Sequence, residues 1–309
     1  MNLNFWLLQR EFSWAQPFRT KAGALVFCIL VFLCCYVRAV FAEDWSDNSI
    51  SWRYGNQFRE PFNNQDISKN IVSFTHASGY RYGTNFLNID ELISDSNDPA
   101  SVTSNAGAME TYIVYRTTLD IGKLSDHEIR FWSARGVGLT GGFDFNNKRD
   151  ADYNSRKRML VLGPTVMLDV PGFLYISLLQ LWESNNPSIS AGAFNPGYPM
   201  DRYYYSPHPM LNAVWAIPLG SSPISFEGYA DFIASKGVDE TGHNTAPETN
   251  IEMQFMYDLS AVTDSKKNIL RVGFEYQFWR NKFGYSDSTV APYGGNNAGT
   301  PMVRVEYHI

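Results

Sequence analysis

Apolar and polar residues alternate one by one through much of the chain beyond residue 49, most regularly over 249–309. Ile251, Met253, Phe255, Tyr257 and Leu259 share one parity, against Glu252, Gln254 and Asp258. Leu270, Val272, Phe274, Tyr276 and Phe278 repeat the pattern against Arg271, Glu275 and Gln277, as do Val303, Val305, Tyr307 and Ile309 against Arg304, Glu306 and His308. A period of two places each set on one face of a β-strand. Faces with aromatics on one side and full charges on the other fit two architectures. A sandwich would bury the apolar face against a second sheet; a membrane barrel shows it to lipid and encloses the charges.

Strand candidates lie near 49–58, 70–78, 80–90, 108–119, 128–140, 158–168, 173–184, 209–218, 224–234, 250–260, 269–279 and 300–309. That is about twelve, an even number as in single-chain bacterial barrels. Lengths near ten residues suit tilted membrane strands. The connections alternate in length. Long ones, near 59–69, 91–107, 141–157, 185–208, 235–249 and 280–299, are rich in Asn, Asp, Ser, Gly and Pro; short ones include Asp169–Gly172 and Leu219–Pro223. Long loops at one end and short turns at the other distinguish outer-membrane barrels from sandwiches. The predicted fold is all-β: one closed antiparallel transmembrane β-barrel of about twelve strands over 43–309, without linker or solenoid repeat.

The start of the chain supports export. Arg10, Arg19 and Lys21 precede an apolar run, Ala22–Val37, followed by Val40-Phe41-Ala42 with small residues placed for a cut after Ala42. This reads as a signal peptide over 1–42, its apolar run short for a spanning helix. All three cysteines (Cys28, Cys34, Cys35) fall inside it, so residues 43–309 offer no disulfide, zinc thiolate or cysteine nucleophile. The full chain carries a formal charge of −6, and removing 1–42 takes away more basic than acidic residues. An acidic chain without a basic run argues against binding a nucleic acid polymer. No two histidines stand at metal-ligand spacing, and no phosphate loop or dinucleotide fingerprint occurs, so neither metal nor cofactor is expected.

Several stretches resemble the Tsx-type nucleoside-specific channels of Gram-negative outer membranes. The most specific is Phe226-Glu227-Gly228-Tyr229-Ala230-Asp231-Phe232, similar to that family's aromatic-x-Gly-aromatic-x-Asn/Asp-Phe strand. Gly273 through Gly284 resembles its penultimate strand and following loop; Met109–Asp120 with Lys123-Leu124, its middle hairpin; Asp169-Val170-Pro171-Gly172-Phe173-Leu174, its turn into a strand. The resemblance implies a twelve-stranded barrel with a narrow lumen and passive uptake of nucleosides held by aromatic and ionisable side chains. Its implied partners are nucleosides or similar small solutes, outer-membrane lipid and the barrel insertion machinery. Long loops could also dock phage or toxin. The chain stops at Ile309, where such barrels usually end on an aromatic, so weaker recognition by that machinery is expected.

Charge assigns the faces, because a charge on the lipid face at mid-bilayer costs about 2–4 kcal/mol. Glu110 and Arg116 should point inward, with Ile113 and Tyr115 outward. Glu128, Arg130 and Trp132 should point inward, as should Glu227, Tyr229 and Asp231. Arg53, Glu252, Asp258, Arg271, Glu275, Trp279, Arg304 and Glu306 complete the predicted pore lining. Both signs occur on neighbouring strands, so cross-strand ion pairs are expected. Mixed signs impose no ionic filter, aromatics can stack on a flat base, and acids and arginine can hydrogen-bond a sugar. Tyr229 and Trp279 are the strongest single candidates for ligand contact, while any one charge serves structural pairing as readily.

Two alternatives remain. A general or structural porin would share every feature above without nucleoside preference. An outer-membrane lipid hydrolase is suggested by Phe74-Thr75-His76-Ala77-Ser78, which puts His76 and Ser78 on one face of a strand and loosely resembles the His-x-Ser pair of lipid A deacylases. No orienting carboxylate can be named for it. The chain is therefore read as a channel and not an enzyme.

Overall fold

The computed structural model describes residues 43–101, 105–151, 153–189, 198–263 and 267–309; the predicted signal peptide lies outside them. Twelve long strands form the barrel. They are β1 (Glu43–Glu60), β2 (Asn63–Tyr80), β3 (Gly83–Ser94), β4 (Met109–Asp120), β5 (Ala134–Arg149) and β6 (Arg158–Leu168). Then come β7 (Phe173–Asn185), β8 (His208–Pro218), β9 (Ile224–Ile233), β10 (Glu248–Asp258), β11 (Leu270–Arg280) and β12 (Ala298–His308). Each pairs antiparallel with its neighbours in sequence, and β1 pairs with β12 over Ser49–Gly55 and Met302–His308. That seam leaves no free edge, as a sheet in lipid requires. A two-residue strand, Tyr203–Tyr204, adds to the end of β7.

The alternation predicted from sequence governs the faces. On β11, Phe274 is 53% exposed while its neighbour Glu275 is 0% exposed. Ile50, Trp52 and Tyr54 on β1 and Val303, Val305 and Tyr307 on β12 are exposed; Ser49, Ser51, Arg53 and Glu306 are buried. Phe226 stacks on Phe255 along the same outer surface. An outward apolar and aromatic band around a polar interior is a surface made for lipid. One carboxylate, Glu91, takes the outward parity and accepts a bond from Thr111 at 2.7 Å near the long-loop end.

Three boundaries differ from the sequence reading. The loop expected at 59–69 is a tight turn at Pro61-Phe62, where Phe62 takes φ 67°; β1 and β2 run on for 18 residues each, with bulges between Gly55 and Glu60. The loop expected over 141–157 is largely strand, because β5 continues to Arg149. The strand expected from 128 begins only at Ala134. Ile121–Ser125 forms a short helix, α1, whose end Asp126 and the later Trp132 both adopt positive φ, which breaks an extended chain. At the short-turn end, Gly172 (φ 75°) closes the β6–β7 connection, and a Cβ there would lie 2.0 Å from the Ala216 carbonyl.

The interior is not purely ionic. Phe58, Ile67, Ile71 and Met302, with Leu92 against them, form one apolar cluster; Val161, Leu179, Leu181 and Met210, with Met159 and Ile233, form another. Each sits on inward-facing positions toward the long-loop end. Greasy side chains therefore fill part of the bore as well as coating the outside.

Candidate functional site

Arg53 lies at the centre of the lumen network. Its Nη2 is 2.8 Å from Asp90 on β3 and donates to Ser73 on β2 at 3.1 Å; its Nη1 is 3.1 Å from both Glu252 on β10 and Glu275 on β11. One planar guanidinium thus ties together strands across half the wall, which its fixed fork of donors allows. Arg304 reaches the other oxygen of Glu275 at 3.0 Å and Glu306 at 2.7 Å. Arg271 links Glu306 (3.1 Å) to Glu227 and donates to Ser225 at 2.6 Å. Gln277 and Gln254 donate to the remaining oxygens of Glu252 and Glu227, at 3.2 and 3.0 Å. The charges alternate in sign around the arc, so buried ions are compensated locally.

A second set surrounds two tyrosines. Tyr112 on β4 donates to Asp144 at 2.9 Å, and Arg116 pairs with the same carboxylate. On β9, Asp231 accepts from Asn212 at 2.6 Å and Tyr229 accepts from Asn250 at 3.1 Å. The strands β4 and β9 that carry these two sets are not paired with each other. Tyr112 and Tyr229 therefore face the lumen from separate parts of the wall. Toward the short-turn end, hydroxyls replace charges: Thr118, Thr140, Thr165 and Ser177 form a file across β4–β7, at 2.8, 2.5 and 2.8 Å.

Most predicted lining residues are brought into these networks: Arg53, Arg116, Glu227, Tyr229, Asp231, Glu252, Arg271, Glu275, Arg304 and Glu306. Glu110 faces inward and accepts from Asn146, and Trp279 donates to Glu248 at 2.6 Å. Three expectations are corrected. Glu128 and Arg130 pair with each other at 2.5 Å in the exposed β4–β5 connection, and Trp132 beside them is fully exposed, because strand β5 starts after them. Asp258 keeps the expected inward parity and is buried; at the rim it also caps the 3-10 turn Leu259–Ala261, accepting from the Ser260 amide at 3.0 Å and the Asn268 amide at 3.0 Å.

Sequence reasoning missed Asp90, Tyr112, Asp144 and Asn212. Tyr112 shares the parity of Glu110 and Arg116, a signal that was there to use; Asp144 was hidden in a stretch with loop composition.

The long-loop end is capped by a further polar cluster. Glu60 meets Lys69 at 2.7 Å, Lys282 at 3.2 Å and Lys148 at 3.7 Å; Asp98 meets Lys148 at 2.9 Å and Lys69 at 3.5 Å. Burial pushes the Asp98 carboxyl up, but the ammonium of Lys148, with that of Lys69, holds it below the usual aspartate range. Glu240 accepts from Tyr153 and Tyr205, joining three loops, and burial together with that carboxylate pushes both phenols well above the usual tyrosine range. Lys236 bonds Glu183 at 2.9 Å, and Lys157 lies 3.8 Å from the centre of the Phe283 ring. Among the described residues, no group of three or more His, Cys, Asp or Glu side chains could hold a metal.

No protein-family model matches the sequence, and no curated protein is similar to it. Solved barrels are similar in shape at low identity. The KdgM porin aligns over 84% of this chain and 98% of its own, at 8% identity and a TM-score of 0.38. The translocator domain of autotransporter NalP from Neisseria meningitidis aligns over 93% and 96%, at 13% identity and a TM-score of 0.45. OccK5 (OpdH) of Pseudomonas aeruginosa aligns over 85% and 98%, at 11% identity and a TM-score of 0.24.

Proposed function

We propose that this barrel sits in the outer membrane and passes small neutral polar solutes passively, with nucleosides as the preferred class. The observation that carries this reading is the composition of the lumen wall. Its charges are paired sign against sign, so no single-sign ring repels or captures ions. Beside them, Tyr112 and Tyr229 offer flat faces, and Asp144, Asp231, Asn212 and Asn250 offer donors and acceptors. A nucleoside presents a flat base and a polyol, the two chemistries this wall can meet. The Tsx-like strand Phe226–Phe232 supplies two of these residues, Tyr229 and Asp231.

A second reading has one observation in its favour. Glu275 is 0% exposed and Arg53 4%, so side chains fill the bore at their level, as in a barrel whose role is structural. Planar-bilayer recording separates the two. Discrete conductance with saturable block by adenosine or thymidine, and none by free glucose or glycine, is the expected result. Conductance indifferent to nucleosides would leave a general porin, and no conductance would leave a structural barrel.

A further inference from the structure

Four arginines gather on the outer face of the barrel at the long-loop end of β5–β7. The row Phe145–Arg158–Ser184 crosses these three strands. The β5–β6 ladder continues beyond it, where the Asn146 and Lys148 amides bond the Lys157 and Ser155 carbonyls. That continuation puts Arg156 beside Asn147 and on the diagonal from Arg149. Alternation keeps the arginines outward: Asn146, Lys148 and Ser155 are buried, while Arg149, Arg156 and Arg158 are exposed. Arg202, from the β7–β8 connection, is fixed over the same patch. Its Nη1 donates to Ser184 Oγ at 3.0 Å and to the Arg156 carbonyl at 3.4 Å.

Carboxylates do not occupy these guanidiniums. Among the described residues, none of the four makes an ion pair. The neighbouring acids are matched elsewhere: Asp150 meets Lys148 at 3.1 Å, and Glu183 meets Lys236 at 2.9 Å. Asp201 is exposed beside Arg202 in sequence and pairs with none of them. Arg59, also at the long-loop end, is by contrast paired with Asp66 at 2.7 Å. Burial, and after it the adjacent Arg158, hold the Arg202 guanidinium below the usual arginine range, as crowding of like charges does. Phe143, Leu160 and Trp182 form the next outward row, all exposed, about 7 Å along the strands from the Arg158 row. Trp182 and the exposed Tyr204 mark the interface level, where aromatics girdle membrane barrels. The cations thus stand at headgroup height, above a surface for acyl chains.

We infer that Arg149, Arg156, Arg158 and Arg202 bind the phosphates of an acylated lipid in the outer leaflet, its chains lying on the Phe143–Leu160–Trp182 row. The occupant carries more than one phosphate. A phosphomonoester holds about −1.5 to −2 charges, so two of them answer four guanidiniums, whereas a single phosphodiester leaves most unmatched. The planar fork of arginine pairs bidentately with phosphate oxygens, and an anion between Arg158 and Arg202 removes their mutual repulsion. The site lies outside the bore. It rests on the outer-membrane placement proposed above and not on which solute passes.

The test uses the full chain folded in detergent, with lipid retention read by native mass spectrometry. The probes are bis-phosphorylated lipid A, the same lipid with both phosphates removed, and inorganic phosphate. The expected result is saturable retention of the bis-phosphorylated lipid, weakened about tenfold or more when its phosphates are removed. The double variant Arg156→Gln/Arg158→Gln should lose as much, Arg202→Gln less, and Arg59→Gln nothing. Excess inorganic phosphate should fail to displace the lipid. Equal retention of the two lipid forms, wild-type retention by the double variant, or an equal loss in Arg59→Gln overturns the assignment. Displacement by inorganic phosphate also overturns it, leaving a site for the free anion. Unaltered heat-modifiability on gels shows that each variant remains a folded barrel. Nucleoside block should be unchanged in every variant, and its absence from a wild-type barrel that retains the lipid would count against the channel reading alone.

Discussion

Two arcs of the same lumen wall are built on different principles. From β10 around to β3, three arginines hold the carboxylates of Asp90, Glu252, Glu275 and Glu306, and Arg53 alone touches three of these. From β4 to β7, a file of hydroxyls runs Thr118, Thr140, Thr165, Ser177. In the first arc each partner's absence takes a counter-charge from a buried ion. In the second, each hydroxyl can turn to another neighbour or to water. The comparison teaches that a polar interior can be brittle or forgiving, depending on whether charge or hydroxyl chemistry satisfies it.

Removing Arg53 should strain that contrast most. Arg53→Ala takes the guanidinium from Asp90 and Glu252 and leaves Glu275 with Arg304 alone, and breaking a buried pair this way costs about 3–5 kcal/mol. A lowered urea midpoint in lipid or detergent, with leakier conductance, is expected; wild-type stability would show that the arc is less coupled than its geometry. Tyr229→Ala bears on the level between the arcs. Losing one stacking face should weaken nucleoside block by about 1–3 kcal/mol, leaving open conductance intact. A block curve unchanged from wild type would move the ligand elsewhere in the bore. Thr165→Val interrupts the hydroxyl file and should cost about 1 kcal/mol of stability with no change in ion selectivity. A loss as large as that of Arg53→Ala would erase the distinction between the arcs.

The smallest effect concerns pH at the loop cap. Asp98 has its carboxyl lowered in the fold, so its contribution is present above the unfolded value, about 3.9, and is lost as pH falls through the folded value. Amide exchange in the described part of 95–108 should accelerate below about pH 4 and stay flat from pH 5 to 8. Acceleration already at pH 6 would implicate another group.

Much of this was legible in the sequence, for a physical reason. A barrel wall has two solvents, lipid and lumen, and alternation records both, which is why the parity of Arg53, Glu227 and Arg304 could be read directly. What alternation cannot record is where a strand ends. Glu128 to Trp132 imitates a strand, yet Trp132 at φ 50° ends any extended run, and Gly141-Gly142 and Asn146-Asn147 imitate a loop inside β5. Nor does it show what meets inside the bore: Arg53 joins Glu252 and Glu275, residues distant from it in sequence. The inward apolar clusters around Ile67 and Leu179 were hidden because a filled lumen uses apolar residues on what alternation marks as the wet face.

The seam between β1 and β12 has a consequence for how the molecule comes to exist. The strand that begins the ring waits for its second neighbour until the strand that ends it has been made. Until then the half-built sheet exposes two unbonded margins, which an escort must shield. Assembly therefore cannot finish while the polypeptide is still emerging, and any cut that detaches β12 reopens the whole cylinder.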